Sequence, residues 1–188
     1  DLITSAQKEG QPVFAFLHTY EIHSPYLPPV GYTEIFGRFE SDFHPDNEYL
    51  VPIMWNARAH LDQGDIDFLN AMYDGCIRFT DDTLRELFAT LKGTGFLDRC
   101  VVMVTSDHGE EFQEHGSWGH GHSVYQELLG VPLLFRWHGV VPANLRIGPV
   151  VSTLDIGPTV LEATGVPVPD RFEGRSLLGF MRGDWPLG

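Results

Sequence analysis

The chain has 188 residues, 43% of them hydrophobic and 12% aromatic, with 26 acidic against 12 basic side chains and a formal net charge of -14. That composition excludes a disordered chain, and the lack of clustered Lys and Arg argues against nucleic acid as a partner. A site for an anionic ester is still compatible with it, because a bound divalent cation reverses the local field whatever the global charge.

In chain order, Val13-Phe14-Ala15-Phe16-Leu17 is a short apolar run after Gly10 and Pro12 and predicts a buried strand. It would deliver His18 and His23 into a loop that Pro25, Pro28, Pro29 and Gly31 keep irregular to about residue 52. From about Asn56 to Leu91 the pattern is helical. Ile77, Leu84, Leu87, Phe88 and Leu91 form an amphipathic stripe that Gly93 and Gly95 close. Cys100-Val101-Val102-Met103-Val104-Thr105 is continuous, apolar and β-branched, as in a strand covered on both faces. A glycine-rich polar stretch follows from Ser106 to Gly121. Val124 to Leu129 predicts a short helix, Val131 to Trp137 a strand, and about Leu154 to Thr164 a helix closed by Gly165 and Pro167. Alternating strands and helices imply an α/β layer structure with a largely parallel sheet. No repeat, linker or low-complexity tract interrupts it, so the chain reads as one domain or a piece of one. No run approaches the ~18 apolar residues of a membrane span.

Ligands of open α/β sheets bind beyond the carboxyl ends of the strands. Asp107 and His108 stand there, after the Cys100–Thr105 strand, where a carboxylate and an imidazole can reach one cation while Gly109 lets the backbone bend. A bare Asp-His pair reads first as a helix cap beside a loop histidine. The residues downstream decide between the two readings. Glu114-His115-Gly116-Ser117-Trp118-Gly119-His120-Gly121-His122 holds three histidines and three glycines in nine residues, which is not a core-packing pattern. Imidazoles ligate metals, donate to anionic oxygens and protonate leaving groups. Glu110 and Glu111 read either as acceptors for these histidines or as acids at a helix start, and Asp155 reads as a helix cap. His115 reads as a loop-ordering residue and Trp118 as a pocket wall or a loop anchor, while His44, His60 and His138 read as surface residues.

Several segments resemble, in order, the C-terminal portion of the sulfatase family, within the alkaline-phosphatase-like superfamily. They are Phe16-Leu17-His18 through His23-Ser24-Pro25-Tyr26; Thr105-Ser106-Asp107-His108-Gly109-Glu110; Gly119-His120-Gly121-His122-Ser123-Val124-Tyr125-Gln126-Glu127; Asp155-Ile156-Gly157-Pro158-Thr159; and Gly174-Arg175-Ser176-Leu177. The resemblance implies an alkaline-phosphatase-like layered fold, with a largely parallel mixed sheet flanked by helices, of which residues 1–188 form a partial catalytic domain lacking the N-terminal portion. It implies metal-dependent hydrolysis of sulfate esters, with phosphoesterase, phosphonate hydrolase or phospho-group transfer chemistry as the alternative within the superfamily, and a non-catalytic or split-half module as another. Asp107 and His108 would ligate one divalent ion. Calcium is the expected ion, as an all-oxygen shell favours it; one imidazole shifts the balance toward manganese or zinc, and magnesium stays open. His23 would bind the ester oxygen or protonate the leaving group. His122, or else His120, would stand where many sulfatases place a sulfate-binding Lys.

Two departures from the family pattern stand out: histidine for that Lys, and His108 where many sulfatases have Asn. The family's nucleophile motif, Cys-x-Pro/Ala-x-Arg, fits neither Cys76 nor Cys100, and both cysteines read as structural. Asp81-Asp82 sits mid-helix with side chains diverging and reads as a solvated face. Asp107 and His108 alone are half a coordination shell, so the isolated chain is expected to turn over little substrate. The implied partners are a small-molecule or glycan sulfate or phosphate ester and the missing N-terminal half of the same domain. Family resemblance is compatible with a periplasmic, extracellular or membrane-attached protein, and the chain carries no targeting signal that selects among them.

Overall fold

The computed structural model describes residues 5, 9–39 and 61–184, which fall into two compact units: residues 1–84 with 111–119, and residues 85–110 with 120–188. The sequence-predicted helix start near Asn56, the surface histidines His44 and His60, and the end of the proline-rich loop lie outside the described residues.

The first unit is organised by helix α1, Gln63–Gly93, which continues into the second unit. Asp62 caps its start by accepting from the Asp65 backbone N–H at 2.9 Å. The buried side chains of α1 are Leu69, Ala71, Met72 and Cys76, earlier than the stripe read from the sequence; Ile77 is 41% exposed. The 69, 72 and 76 positions lie on one helical face. They pack with Tyr26 and Trp118, flanked by Ile22, Leu61, Ile66, Phe68, Tyr73 and Phe112. Aromatic contacts bind this core: Tyr73 meets Phe112 at 4.7 Å, and Phe112 meets Trp118 edge-on at 4.8 Å. Trp118 is therefore a core anchor.

The Val13–Leu17 run has no regular secondary structure, and Phe14, Phe16 and Leu17 are 75–80% exposed. An apolar strand is stable only when neighbours cover its faces and pair its backbone, and among the described residues nothing forms a ladder with it.

A two-stranded antiparallel hairpin belongs to the same unit: β2, Glu111–Phe112, and β3, Trp118–Gly119, with Glu111 opposite Gly119. Its loop is organised by Glu111, which is fully buried and accepts the backbone N–H groups of Ser117 at 2.8 Å and His115 at 3.1 Å. His115 orders this loop, but through its main chain.

The second unit contains β1, Val101–Thr105, paired antiparallel with β4, Leu133–Trp137, so that Thr105 lies opposite Leu133. Both described ladders are antiparallel and form two separate two-stranded sheets, so the largely parallel pairing expected from the sequence does not occur among the described residues. Arg136 on β4 donates to Asp98 at 2.8 Å and to the Leu97 carbonyl, fixing the turn that enters β1. The Asp98 carboxyl is held below the usual carboxylate range by that guanidinium. Helix α2, Gln126–Leu129, leads into β4.

Helix α3, Ile156–Ala163, follows a 3₁₀ turn that opens with a capping box: Ser152 Oγ accepts from Leu154, and Asp155 accepts from the Ser152 N–H at 2.9 Å. Asp155 is 8% exposed and also accepts the Arg175 N–H at 2.9 Å. The buried Thr159 hydroxyl donates to the Asp155 carbonyl and accepts from the Leu177 N–H. These bonds clip the C-terminal segment, with helix α4, Leu178–Arg182, onto α3. Leu177, Leu178 and Met181 form the core of this unit against Leu133, Phe135 and Trp137. Both cysteines are free thiols; burial pushes the Cys76 thiol up to about 11 and raises that of Cys100. Among the described residues no helix is long and apolar enough to cross a membrane.

Candidate active site

The site is built on the turn that leaves β1. Ser106 Oγ donates to the His108 carbonyl at 2.7 Å, and the His108 N–H donates to the Asp107 carboxylate at 3.1 Å, curling the chain so that both side chains project from one bend. Gly109 then donates its N–H to the Leu128 carbonyl at 2.8 Å, which seats the turn against α2. The seat has no room for a side chain: a Cβ on Gly109 would lie 1.9 Å from the Glu127 carbonyl oxygen.

His108 has its Nδ1 2.7 Å from the Gly109 carbonyl oxygen, a contact satisfied by an Nδ1–H donor, and its Nε2 lies 3.8 Å from Asp107 Oδ1. Two donors bound to one cation at ordinary ligand distances stand about 3–4.5 Å apart. The pair therefore fits as two members of a metal shell. The Asp107 side chain is 77% exposed, open to a ligand.

His120 joins this pair. Its ring stacks on that of His108 with centroids 3.9 Å apart and planes at 30°, and a ring nitrogen of each lies within 4.8 Å of the other. His120 Nδ1 is 2.7 Å from Glu110 Oε1, and the Glu110 side chain is 5% exposed. Of the two sequence readings of Glu110, acceptor or helix-start acid, the geometry selects the acceptor, since a strand rather than a helix begins at Glu111. The hairpin accounts for the meeting. Its ladder pairs Glu111 with Gly119, so Glu110 and His120, ten residues apart in the chain, leave it side by side.

His122 is exposed, two residues beyond His120. Of the two histidines read as alternatives from the sequence, His120 is the one stacked on His108. His23 belongs to the first unit, where it lies on an exposed turn: its N–H donates to the Tyr20 carbonyl and its Nδ1 is 2.7 Å from the Ser24 carbonyl oxygen. His18 is exposed in a row of rings, 4.7 Å from Tyr20, which in turn meets His23 at 5.6 Å. Asp82 is only partly exposed: it pairs with Arg78 at 3.2 Å and also accepts from the Tyr32 hydroxyl at 3.3 Å, so of the two residues read as a solvated face Asp81 alone is exposed. Asp155 is fully engaged in the clip to Arg175 and Ser152.

A family model described as Sulfatase matches residues 1–166. Arylsulfatase K from Bos taurus is 36% identical over 138 residues, covering 73% of this chain and 25% of that protein. Among solved structures, the phosphonate monoester hydrolase of Agrobacterium radiobacter superposes with a TM-score of 0.74 at 24% identity, covering 98% of this chain and 42% of that one. The protein BT4656, solved in complex with its substrate D-glucosamine-2-N,6-O-disulfate, superposes with a TM-score of 0.60 at 24% identity, covering 68% of this chain and 26% of that one. The chain spans 25–30% of the length of the first curated relatives it matches.

Proposed function

The chain belongs to the sulfatase family and carries the alkaline-phosphatase-like α/β fold, and on that premise we propose that it is the C-terminal portion of a catalytic domain that hydrolyses sulfate monoesters. The observation that carries this reading is the grouping, at the carboxyl end of β1, of Asp107 and His108 on one bend with the His120 ring stacked on that of His108. Asp107 and His108 would hold the divalent ion, the carboxylate contributing formal charge and the imidazole its Nε2. When bound, the ion supplies Lewis-acid stabilisation of charge on the ester oxygens. Calcium, manganese, magnesium and zinc are all compatible with a carboxylate and an imidazole. The imidazole favours manganese or zinc over calcium, with calcium preferred where the remaining ligands are all oxygen.

The chain's own residues would act on the ester as follows. His120 would turn a ring nitrogen to an anionic ester oxygen, in the role a Lys fills in many sulfatases, and His122 would flank it. His23 would bind the ester oxygen or donate the proton the leaving group needs. The nucleophile would come from residues outside this chain, as would the remaining metal ligands and the strands that cover Val13–Leu17. The substrate class that fits is a small-molecule or glycan sulfate; a relative of the same fold was solved with a disulfated glucosamine.

A second reading, hydrolysis of phosphonate or phosphate esters, is favoured by His108 at the second ligand position and by the fold shared with a phosphonate monoester hydrolase. The test is substrate choice by the full-length protein: aryl sulfate, aryl phosphate and aryl phosphonate compared by kcat/KM. Preference for the sulfate supports the proposal. Preference for the phosphonate by tenfold or more would replace it with the second reading.

A further inference from the structure

Glu110 has no role in the chemistry just described, yet its side chain is almost wholly buried, and a buried carboxylate is costly unless it is hydrogen-bonded. Its Oε1 lies 2.7 Å from His120 Nδ1, within the range of carboxylate–imidazole hydrogen bonds. The rest of the histidine's surroundings limit its movement. One ring face is stacked on His108 at 3.9 Å, and its neighbours Gly119 and Gly121 both adopt left-handed backbone conformations, with φ of 82° and 86°. A side chain other than glycine is strained at such angles, so the backbone on both sides of His120 depends on glycine. With Nδ1 engaged by the carboxylate, any ligand chemistry of His120 falls to Nε2. This is the arrangement by which an outer acceptor fixes the tautomer and ring orientation of a working histidine.

We infer that Glu110 is a positioning residue: by accepting the Nδ1–H of His120, it aims Nε2 at the anionic oxygen of the ester. The inference rests on the placement of His120 in the active site proposed above. It makes the position of the acceptor atom, rather than negative charge as such, the quantity that matters.

Four variants of the full-length protein test it: His120→Ala, Glu110→Gln, Glu110→Asp and the double variant Glu110→Asp/His120→Ala. Each is assayed for kcat and KM with an aryl sulfate, for bound divalent metal and for melting temperature. Gln keeps an oxygen at the end of a side chain of the same length, so E110Q should hold kcat/KM within about fivefold of wild type. Asp keeps the charge but withdraws the acceptor by one bond, about 1.5 Å. E110D should therefore lower kcat/KM by about 10–100-fold, the range for loss of such an outer partner, with metal content unchanged. In the H120A background, E110D should change kcat/KM by less than twofold, because the residue it acts through is gone.

The inference is overturned if E110D equals wild type, if E110Q is impaired more than E110D, or if the two losses multiply in the double variant. It is also overturned if E110D loses its metal, since Glu110 would then support the ligand turn instead. Failure of the underlying reading looks different. Full turnover in H120A would remove His120 from the active site, and the inference with it.

Discussion

Gly109→Ala tests the link between the fold and the proposed metal-binding turn. The new Cβ would stand 1.9 Å from the Glu127 carbonyl oxygen and 3.0 Å from its carbon, whereas non-bonded carbon and oxygen settle at about 3.3 Å or more. The obstacle is main chain, so no rotamer change relieves it. The turn and α2 must separate by more than about 1 Å, which also breaks the Gly109 N–H bond to the Leu128 carbonyl, 2.8 Å long in the native seat. Overpacking of this kind costs about 1–3 kcal/mol and the lost hydrogen bond about 1 kcal/mol, together about 2–4 kcal/mol. A displacement of about 1 Å next to Asp107 and His108 should also cost on the order of a hundredfold in turnover. The assay is kcat/KM and melting temperature of the full-length protein, with Gly148→Ala as the control, since a Cβ there meets nothing within 4 Å. A Gly109→Ala protein indistinguishable from the Gly148→Ala control in both measurements would refute the reasoning.

Two other perturbations probe the scaffold. Asp155→Ala strips acceptors from the Ser152 and Arg175 N–H groups, each 2.9 Å from the carboxylate, and should lower stability by about 2–4 kcal/mol in urea titration; an unchanged midpoint would contradict the clip. The Cys76 thiol, 1% exposed, is pushed up to about 11 from 9.0 by burial. The folded protein then keeps a proton that the unfolded chain releases, so the stabilising term is complete below pH 9 and is lost as pH rises toward 11. A shift of that size is worth on the order of 2–3 kcal/mol at most. Stability of the wild type should fall faster than that of Cys76→Ala between those two pH values, and parallel profiles would contradict the burial argument.

The parts of this fold legible in the sequence are those written in local pattern. β1 and β4 are runs of apolar and β-branched residues, and the structure places them at Val101–Thr105 and Leu133–Trp137, inside the predicted spans. Ser152 and Asp155 sit three residues apart, as a capping box requires, and Asp155 caps as expected. That Asp107 and His108 leave a strand on a turn was legible, because the apolar run stops at Thr105 and polar residues and Gly109 follow.

What was not legible is non-local. The buried face of α1 depends on what Tyr26 and Trp118 bring to it, which no helical period discloses, and so the earlier Leu69–Met72–Cys76 face is buried. Val13–Leu17 has the composition of a buried strand, but composition cannot supply the neighbours that a ladder needs. The choice between His120 and His122 is one of spatial placement: only the hairpin pairing of Glu111 with Gly119 sets His120 beside Glu110, ten residues earlier in the chain.

The most direct test of the central claim is the metal content and aryl sulfate turnover of the full-length protein carrying Asp107→Ala. Removing the charged donor should release the divalent ion. It should also lower turnover by at least about a thousandfold, the equivalent of the several kcal/mol that a Lewis acid contributes to the transition state. A variant that retains stoichiometric metal and turns over within a few-fold of wild type would contradict the assignment of the β1 turn as the metal site.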